Sequence, residues 1–404
     1  LSETEASNRS AAIEAVWGRI VDVDAHVMLP PDAYPAILGD EFGVPMRQWA
    51  AERVAGLERD VLEAVRAGAR EDVFRVKGFV AHGADDPDDR VDALDRMGIA
   101  RQIVFPPVPL AVLHAAGPAA RLARSRWNDA MCDWTAGSRG RLIPAMQLGL
   151  GDVDEAVEDT ERLIATGARA VEIPFAQPPA GRSPAHPDWD QLWQMLADGG
   201  VTVLLHIGGG GLGGGFPSSR SFSDPRWGAV DRLRSEPGGD APTGSSDPGS
   251  FTALGPIDRV IRHHPAETFV SALVLGGILE RAPDLSIGII ELGAGWVGSW
   301  VEQLDTAAAA MHGGGLTPLP EPPSTYLRRQ VRVTPSYLEP VNRYLARSHL
   351  DEIYAFSTDY PHYEGGKDPL GWSERALADT DDGTYERWFV TNGSRLVTSR
   401  PGHS

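Results

Sequence analysis

Short apolar runs recur along the chain, most of them followed by a stretch with helical spacing. Eight stand out: 19–26 (R-I-V-D-V-D-A-H), 101–106, 143–148, 169–175, 201–206, 286–292, 330–335 and 353–359 (I-Y-A-F-S-T-D). Residues 152–167 show the intervening pattern, with an acidic start, apolar positions at helical spacing and a glycine stop; residues 188–200 form another. Near-continuous apolar strands alternating with helices predict parallel βαβ units. Eight of them predict an α/β protein of the closed (β/α)8 type, a TIM barrel, with the whole of 1–404 as one domain. No G-x-G-x-x-G opens a helix after the first strand, which weakens a dinucleotide-binding reading.

Two segments depart from the repeat. Residues 30–90 are too long for a simple βα connection, contain helical pieces such as 50–65, and end in an acidic A-D-D-P-D-D-R. Residues 207–255, directly after the fifth strand, are too rich in Gly, Ser and Pro to build a core. A substrate-covering lid is the expected role of that stretch, with a plain surface loop as the alternative.

The polar residues fall where such barrels place their chemistry, at the C-terminal ends of strands. The first strand ends at Asp24 and His26, the fifth at His206, the sixth at Glu291 and the eighth at Asp359, with His362 and Glu364 just beyond. Alternation along a strand puts Asp22, Asp24 and His26 on one side. Imidazoles and carboxylates gathered at one rim need a compensating charge, and a metal ion supplies it. Zinc, manganese and iron all accept such a set; a carboxylate-rich one with two or three His favours iron, including dinuclear iron. The expected ligands are Asp24, His26, His206, Glu291, Asp359 and His362, with Asp359 and His362 also serving as acid–base groups. Asp22 reads as a support for the ligands, and Glu364 is open between function and solvation. His263 and His264 read as surface or capping residues, and Trp296 and Trp300 as core. Nothing else marks Glu172, although it can point inward.

Composition narrows the partners. The 404 residues include 37 Lys and Arg against 56 Asp and Glu, a net charge of −19, which repels nucleic acid and anionic membranes. No run of about 18 apolar residues offers a membrane span. The first ten residues lack the apolar core of a secretory signal, and the missing Met suggests processing. The single cysteine, Cys132, excludes an internal disulfide or a cysteine-based metal site; it fits a cytoplasmic protein and reads as a small core residue.

The ordered set D-V-D-A-H-V-x-x-P, V-x-x-L-H, E-R-A-P-D-L-S-I-G-I-I-E-L-G-A-G-W-V and S-T-D-Y-P-H resembles the amidohydrolase-related TIM-barrel family, over about residues 18–398. The branch resembled includes aminocarboxymuconate semialdehyde decarboxylase and γ-resorcylate decarboxylase. Asp24 stands where many members carry the first His of a His-x-His pair, and Glu291 where many carry a sixth-strand His. With the 30–90 insertion, these departures resemble a subgroup of TIM-barrel non-haem diiron monooxygenases of platensimycin and platencin biosynthesis. That resemblance implies two iron ions, dioxygen, an external electron donor and hydroxylation of a bulky apolar substrate, diterpenoid or acyl-coenzyme A in kind. Arg220, Arg226, Arg232 and Arg234 would then either meet such a carrier or be solvated surface arginines. The wider family implies instead a single zinc or manganese ion and hydrolysis or non-oxidative decarboxylation of a small molecule. The insertion offers an amphipathic interface for a homodimer.

Overall fold

The structure, a computed structural model, describes residues 9–54, 65, 68–107, 116–207, 260–310 and 318–397. Seven strands form one parallel sheet in chain order: β1 (Ile20–His26), β2 (Ile99–Phe105), β3 (Leu142–Gln147), β4 (Ala170–Glu172), β5 (Thr202–His206), β6 (Ile287–Ile290) and β7 (Val331–Val333). Sequential neighbours, all parallel, are what right-handed βαβ crossovers produce. The eighth apolar run makes no regular ladder. It bridges Val333 through Tyr354 and Ala25 through Tyr360, and so joins β7 back to β1. Its backbone bonds to both neighbours, including Ala355 N–H to Val333 O at 3.0 Å and His26 N–H to Tyr360 O at 2.7 Å. The left-handed φ of 49° at Asp359 interrupts its extension. The fold is thus the expected barrel, closed on one side by an irregular stave.

Around the sheet lie α1 (Ala33–Leu38), α2 (Asp40–Val54), α3 (Pro87–Met97), α4 (Pro118–Thr135), α5 (Val153–Ala165), α6 (Asp190–Asp198), α7 (His264–Leu275), α8 (Val297–Ala310) and α9 (Val341–Ser348). Helix α5 starts where Asp152 caps Glu155 N–H and buries Ala156, Thr160 and Leu163 at helical spacing. One large apolar core lies between sheet and helices, joined on one side by Val203, Leu205, Ile287 and Ile289. A smaller cluster, with Val21, Val23, Ile103, Ala145, Leu204 and Ile290, gathers residues from the other side of the same strands.

The 30–90 insertion is helical in part: α1 and α2 lie in it, and α3 begins at its end; residues 55–64 of the expected 50–65 helix fall outside the described residues. Apart from Ile207, so does the 207–255 segment, with Arg220, Arg226, Arg232 and Arg234. Cys132 is half-buried at the edge of the core rather than within it. Trp300 is core, as expected, whereas Trp296 is partly buried and stacks on His263 at 4.9 Å. No helix among the described residues is long and apolar enough to cross a membrane.

Candidate metal centre

The alternation expected in β1 is broken. The pairing of β1 with β2 shifts register between Asp22 and Ala25, and shifts of this kind re-aim side chains. Asp22, still in register with Gln102, turns to it and to Thr358, whereas Asp24 and His26, past that pairing, meet the groups from β5 and the eighth stave.

Six side chains from four staves converge. Asp24 Oδ1 lies 3.3 Å from His206 Nε2 and 3.5 Å from His26 Nε2. His26 Nε2 is also 3.3 Å from Asp359 Oδ1, and His206 Nε2 is 3.5 Å from Glu291 Oε2. His362 adds Nδ1 at 3.0 Å from Asp359 Oδ1 and stacks on the His26 ring, with centroids 3.8 Å apart. Donor atoms fall into overlapping groups, Asp24–His26–His206, His26–Asp359–His362 and Asp24–Glu291–Asp359, each within 4.8 Å.

Two of the histidines have their tautomer set by the backbone. His26 Nδ1 faces the Pro106 carbonyl at 2.8 Å, and His206 Nδ1 faces the Ile207 carbonyl at 2.7 Å. A carbonyl only accepts, so Nδ1 carries the proton and Nε2 turns toward the carboxylates. In the neutral ring that places a lone pair against carboxylate lone pairs, an arrangement that needs a proton or a cation between them. Asp24 Oδ2, His26 Nε2, Glu291 Oε2 and both Asp359 carboxylate oxygens are buried without a hydrogen-bond partner among the described residues. Orphans of this kind are rare in folded proteins and costly. A divalent cation satisfies them together, and His with carboxylate suits manganese, zinc or iron.

The electrostatics carry the same strain. Burial, aided by the charges of Asp359, Asp24 and Glu364, pushes the Glu291 carboxyl well above its usual range. Burial also opposes the charged form of His26, but its contacts with Asp24 and Asp359 prevail and raise it well above an ordinary imidazole. For Asp24 and Asp359 burial is again the largest influence, yet neighbouring His206 and His362 respectively lead the opposing effects that hold each carboxyl low. The protonated forms of His26 and Glu291 are favoured here, and a bound cation would displace those protons. The backbone is unusual at the same place: Glu291 and Asp359 have φ of 59° and 49°, a left-handed region that few residues other than glycine adopt.

A family model described as amidohydrolase matches residues 21–397. The chain belongs to the amidohydrolase family. No curated protein matches it. Among solved structures, an amidohydrolase from Mycobacterium avium subsp. paratuberculosis K-10 is 20% identical, with a TM-score of 0.66 over 94% of this chain and 99% of that one. A 5-carboxyvanillate decarboxylase from Novosphingobium aromaticivorans DSM 12444, complexed with manganese and 4-hydroxy-3-methoxy-5-nitrobenzoic acid, is 17% identical (TM-score 0.59, covering 94% and 95%). A 2,6-dihydroxybenzoate decarboxylase from Rhizobium is 18% identical (TM-score 0.58, covering 94% and 98%). At these identities the likeness is one of fold.

Beside Asp24, Glu291 and Asp359 opens a cavity of about 290 Å³, whose other walls include Tyr337, Leu338, Tyr363, Glu364 and Trp372. Glu364 therefore faces the cavity rather than open solvent alone. His263 and His264 lie away from this set; they group instead with Glu267 at the start of α7. Glu172 does point inward, but Gln147 Nε2 donates to it at 2.8 Å. Sequence reasoning missed Arg90, Gln102 and Lys77. Arg90 occupies an apolar-stripe position of α3, in step with Ala93, Leu94 and Met97, and that misplaced charge was a readable signal. Burial lowers its guanidinium to about 10, still charged at neutral pH. Lys77 is buried with Nζ lacking a hydrogen-bond partner among the described residues, and burial brings it down to about 8.

Proposed function

We propose that this amidohydrolase-family chain is a divalent-metal-dependent enzyme that decarboxylates a small aromatic acid without oxidation. Asp24, His26, His206, Glu291 and Asp359 are the proposed ligands, and the ion is manganese or zinc. The observation that carries the reading is the set of orphaned buried carboxylate oxygens of Asp24, Glu291 and Asp359, which line one cavity of about 290 Å³, with the orphaned His26 Nε2 3.3 Å from Asp359. That volume is at the small end of ligand pockets, which begin near 300 Å³. It suits a single substituted ring better than a diterpenoid or an acyl-coenzyme A. Tyr337 and Trp372 offer that ring flat apolar surfaces.

A bound divalent cation would hold the carboxylate and an adjacent hydroxyl of such a substrate and offset their charge. The protein must then move one proton. As the carbon–carboxylate bond breaks and carbon dioxide leaves, the ring carbon takes a proton in its place. Asp359 lines the cavity and is backed by His362 Nδ1 at 3.0 Å, so this pair is assigned that transfer. The tautomers of His26 and His206, set by carbonyls, keep both Nε2 atoms directed at the centre.

One observation favours a second reading. Six donors in overlapping groups exceed the roughly three side chains that a single catalytic ion needs, which suits a dinuclear, oxygen-using iron centre fed by an external electron donor. The likeness to two decarboxylases, one of them complexed with manganese, and the small cavity weigh against it. Anaerobic incubation of manganese-loaded protein with a panel of hydroxybenzoates, scored by stoichiometric carbon dioxide release, separates the two. Release without oxygen or reductant is the expected result. Two irons per chain, with turnover only when dioxygen and electrons are supplied, would replace this reading with the second.

A further inference from the structure

One buried cation beside the centre sends all its bonds toward segments that carry the proposed ligands or adjoin them. Arg90 is fully buried at the start of α3. Its Nη2 donates to the His26 carbonyl at 2.7 Å, its Nε to the Gly83 carbonyl at 2.6 Å and its Nη1 to Gln102 Oε1 at 3.0 Å. Gln102 passes the contact on, with Nε2 donating to Asp22 Oδ2 at 2.7 Å. Asp22 in turn accepts from Thr358 N–H at 2.9 Å, from the Thr358 hydroxyl at 2.5 Å and from Asp24 N–H at 3.2 Å. The Arg90 guanidinium also lies 5.0 Å from the centre of the Tyr360 ring. A guanidinium only donates, so the Gln102 amide must turn its oxygen to Arg90 and its nitrogen to Asp22.

We propose that Arg90 is a positioning residue for the metal centre, acting through Gln102 and Asp22 on Asp24, His26 and Asp359. The inference rests on the reading of that centre as a cation site. Asp359 sits at a strained φ of 49°, and such a conformation persists only where its surroundings over-determine it. Its two neighbours supply that constraint: Thr358 is clamped by Asp22, and Tyr360 packs under Arg90. The same guanidinium grips the His26 carbonyl, so one rigid fork sets the end of β1 against the 358–360 turn. Lysine offers one point charge without the fork and cannot hold three divergent acceptors. Partners of this sort orient metal ligands and tune affinity.

The test uses the full chain carrying Arg90→Lys or Gln102→Leu. The readouts are the Mn²⁺ dissociation constant, by competition with a chelating dye, and thermal unfolding with and without Mn²⁺. Both variants are expected to bind Mn²⁺ about 10- to 100-fold more weakly and to gain less stability from it. Folded variants with the wild-type constant overturn the inference, as does an equal loss of stability with and without the ion. Where Arg90→Lys does not fold, Gln102→Leu decides, because it leaves Arg90 its two carbonyl acceptors. Failure of both to fold marks the network as structural and overturns it. Wild-type protein that binds no divalent ion overturns the function proposed above as well; failure confined to the variants leaves that function standing.

Discussion

The two halves of the barrel mouth each bury polar side chains, a glutamate among them, and treat them in opposite ways. At the ends of β3 and β4, Gln147 donates to Glu172 at 2.8 Å, and Asn128 both donates to the Gln147 carbonyl and accepts from its N–H. At the ends of β1, β5, β6 and the eighth stave, five oxygen and nitrogen atoms of Asp24, His26, Glu291 and Asp359 are buried with no such partner among the described residues. One half offsets its desolvation internally, while the other needs a charge from outside. A polar residue at a strand end is therefore a weak sign of chemistry by itself. A buried polar residue left unsatisfied, next to others like it, is a strong one.

The sharpest way to break that contrast is substitution on both halves. Asp359→Asn should lower carbon dioxide release roughly 10³-fold, within the range that loss of an acid–base group costs, and Asp24→Ala should lower it by removing a metal ligand. Glu172→Gln should stay within about tenfold of wild type. Steady-state rates on one substrate decide, and an equal fall on both halves would erase the distinction.

Next in size is Lys77. Its folded value of about 8 lies below the ordinary lysine value of 10.5, so the folded chain sheds this proton more readily than the unfolded one. Stability from this group is present above pH 10.5 and is lost as pH falls through 8. Lys77→Met should therefore stabilise the metal-free protein by about 3 kcal/mol below pH 8, an advantage that fades toward pH 10.5. Denaturant melts of both proteins at pH 7, 9 and 10.5 would show it; a constant difference across that range would refute it.

Metal supply sharpens the comparison further. Manganese at 100 times its dissociation constant should stabilise wild type and Glu172→Gln alike by about 2.7 kcal/mol, and chelation should abolish the gain. His206→Ala should show little of it.

The smallest effect concerns the backbone. Glu291 is held at a left-handed φ, so Glu291→Gly should raise the stability of the metal-free chain by about 1 kcal/mol while weakening metal binding. A urea midpoint that falls instead would show that the side chain contributes more than its conformation costs.

Much of this was legible in the sequence, for identifiable reasons. Seven apolar runs became strands within a few residues of their expected limits, because buried parallel strands cannot avoid near-continuous hydrophobicity. The rim residues could be named because a closed barrel brings its strand ends together whatever the length of the connections. Three things were hidden. The register shift after Asp22 depends on how β1 pairs, and the plain alternation of D-V-D-A-H conceals it. Whether Glu172 or Glu291 is satisfied depends on neighbours far apart in the chain: Gln147 donates to Glu172, whereas Glu291 Oε2 finds no hydrogen-bond partner among the described residues. The reach of Arg90 across to His26 and Gln102 is equally non-local, although its place on an apolar stripe hinted that it was buried.

The eighth stave gives the barrel a seam. It meets β7 and β1 through isolated bridges and scattered backbone hydrogen bonds rather than a regular ladder, and Asp359 stands on it, facing Asp24 and His26 across the join. An ion gripping both sides would act as a clasp, making closure of the barrel and occupancy of the centre a single equilibrium. Amide hydrogens of residues 353–360 should then exchange with deuterium more slowly once Mn²⁺ is added, while those of β3 and β4 keep their pace.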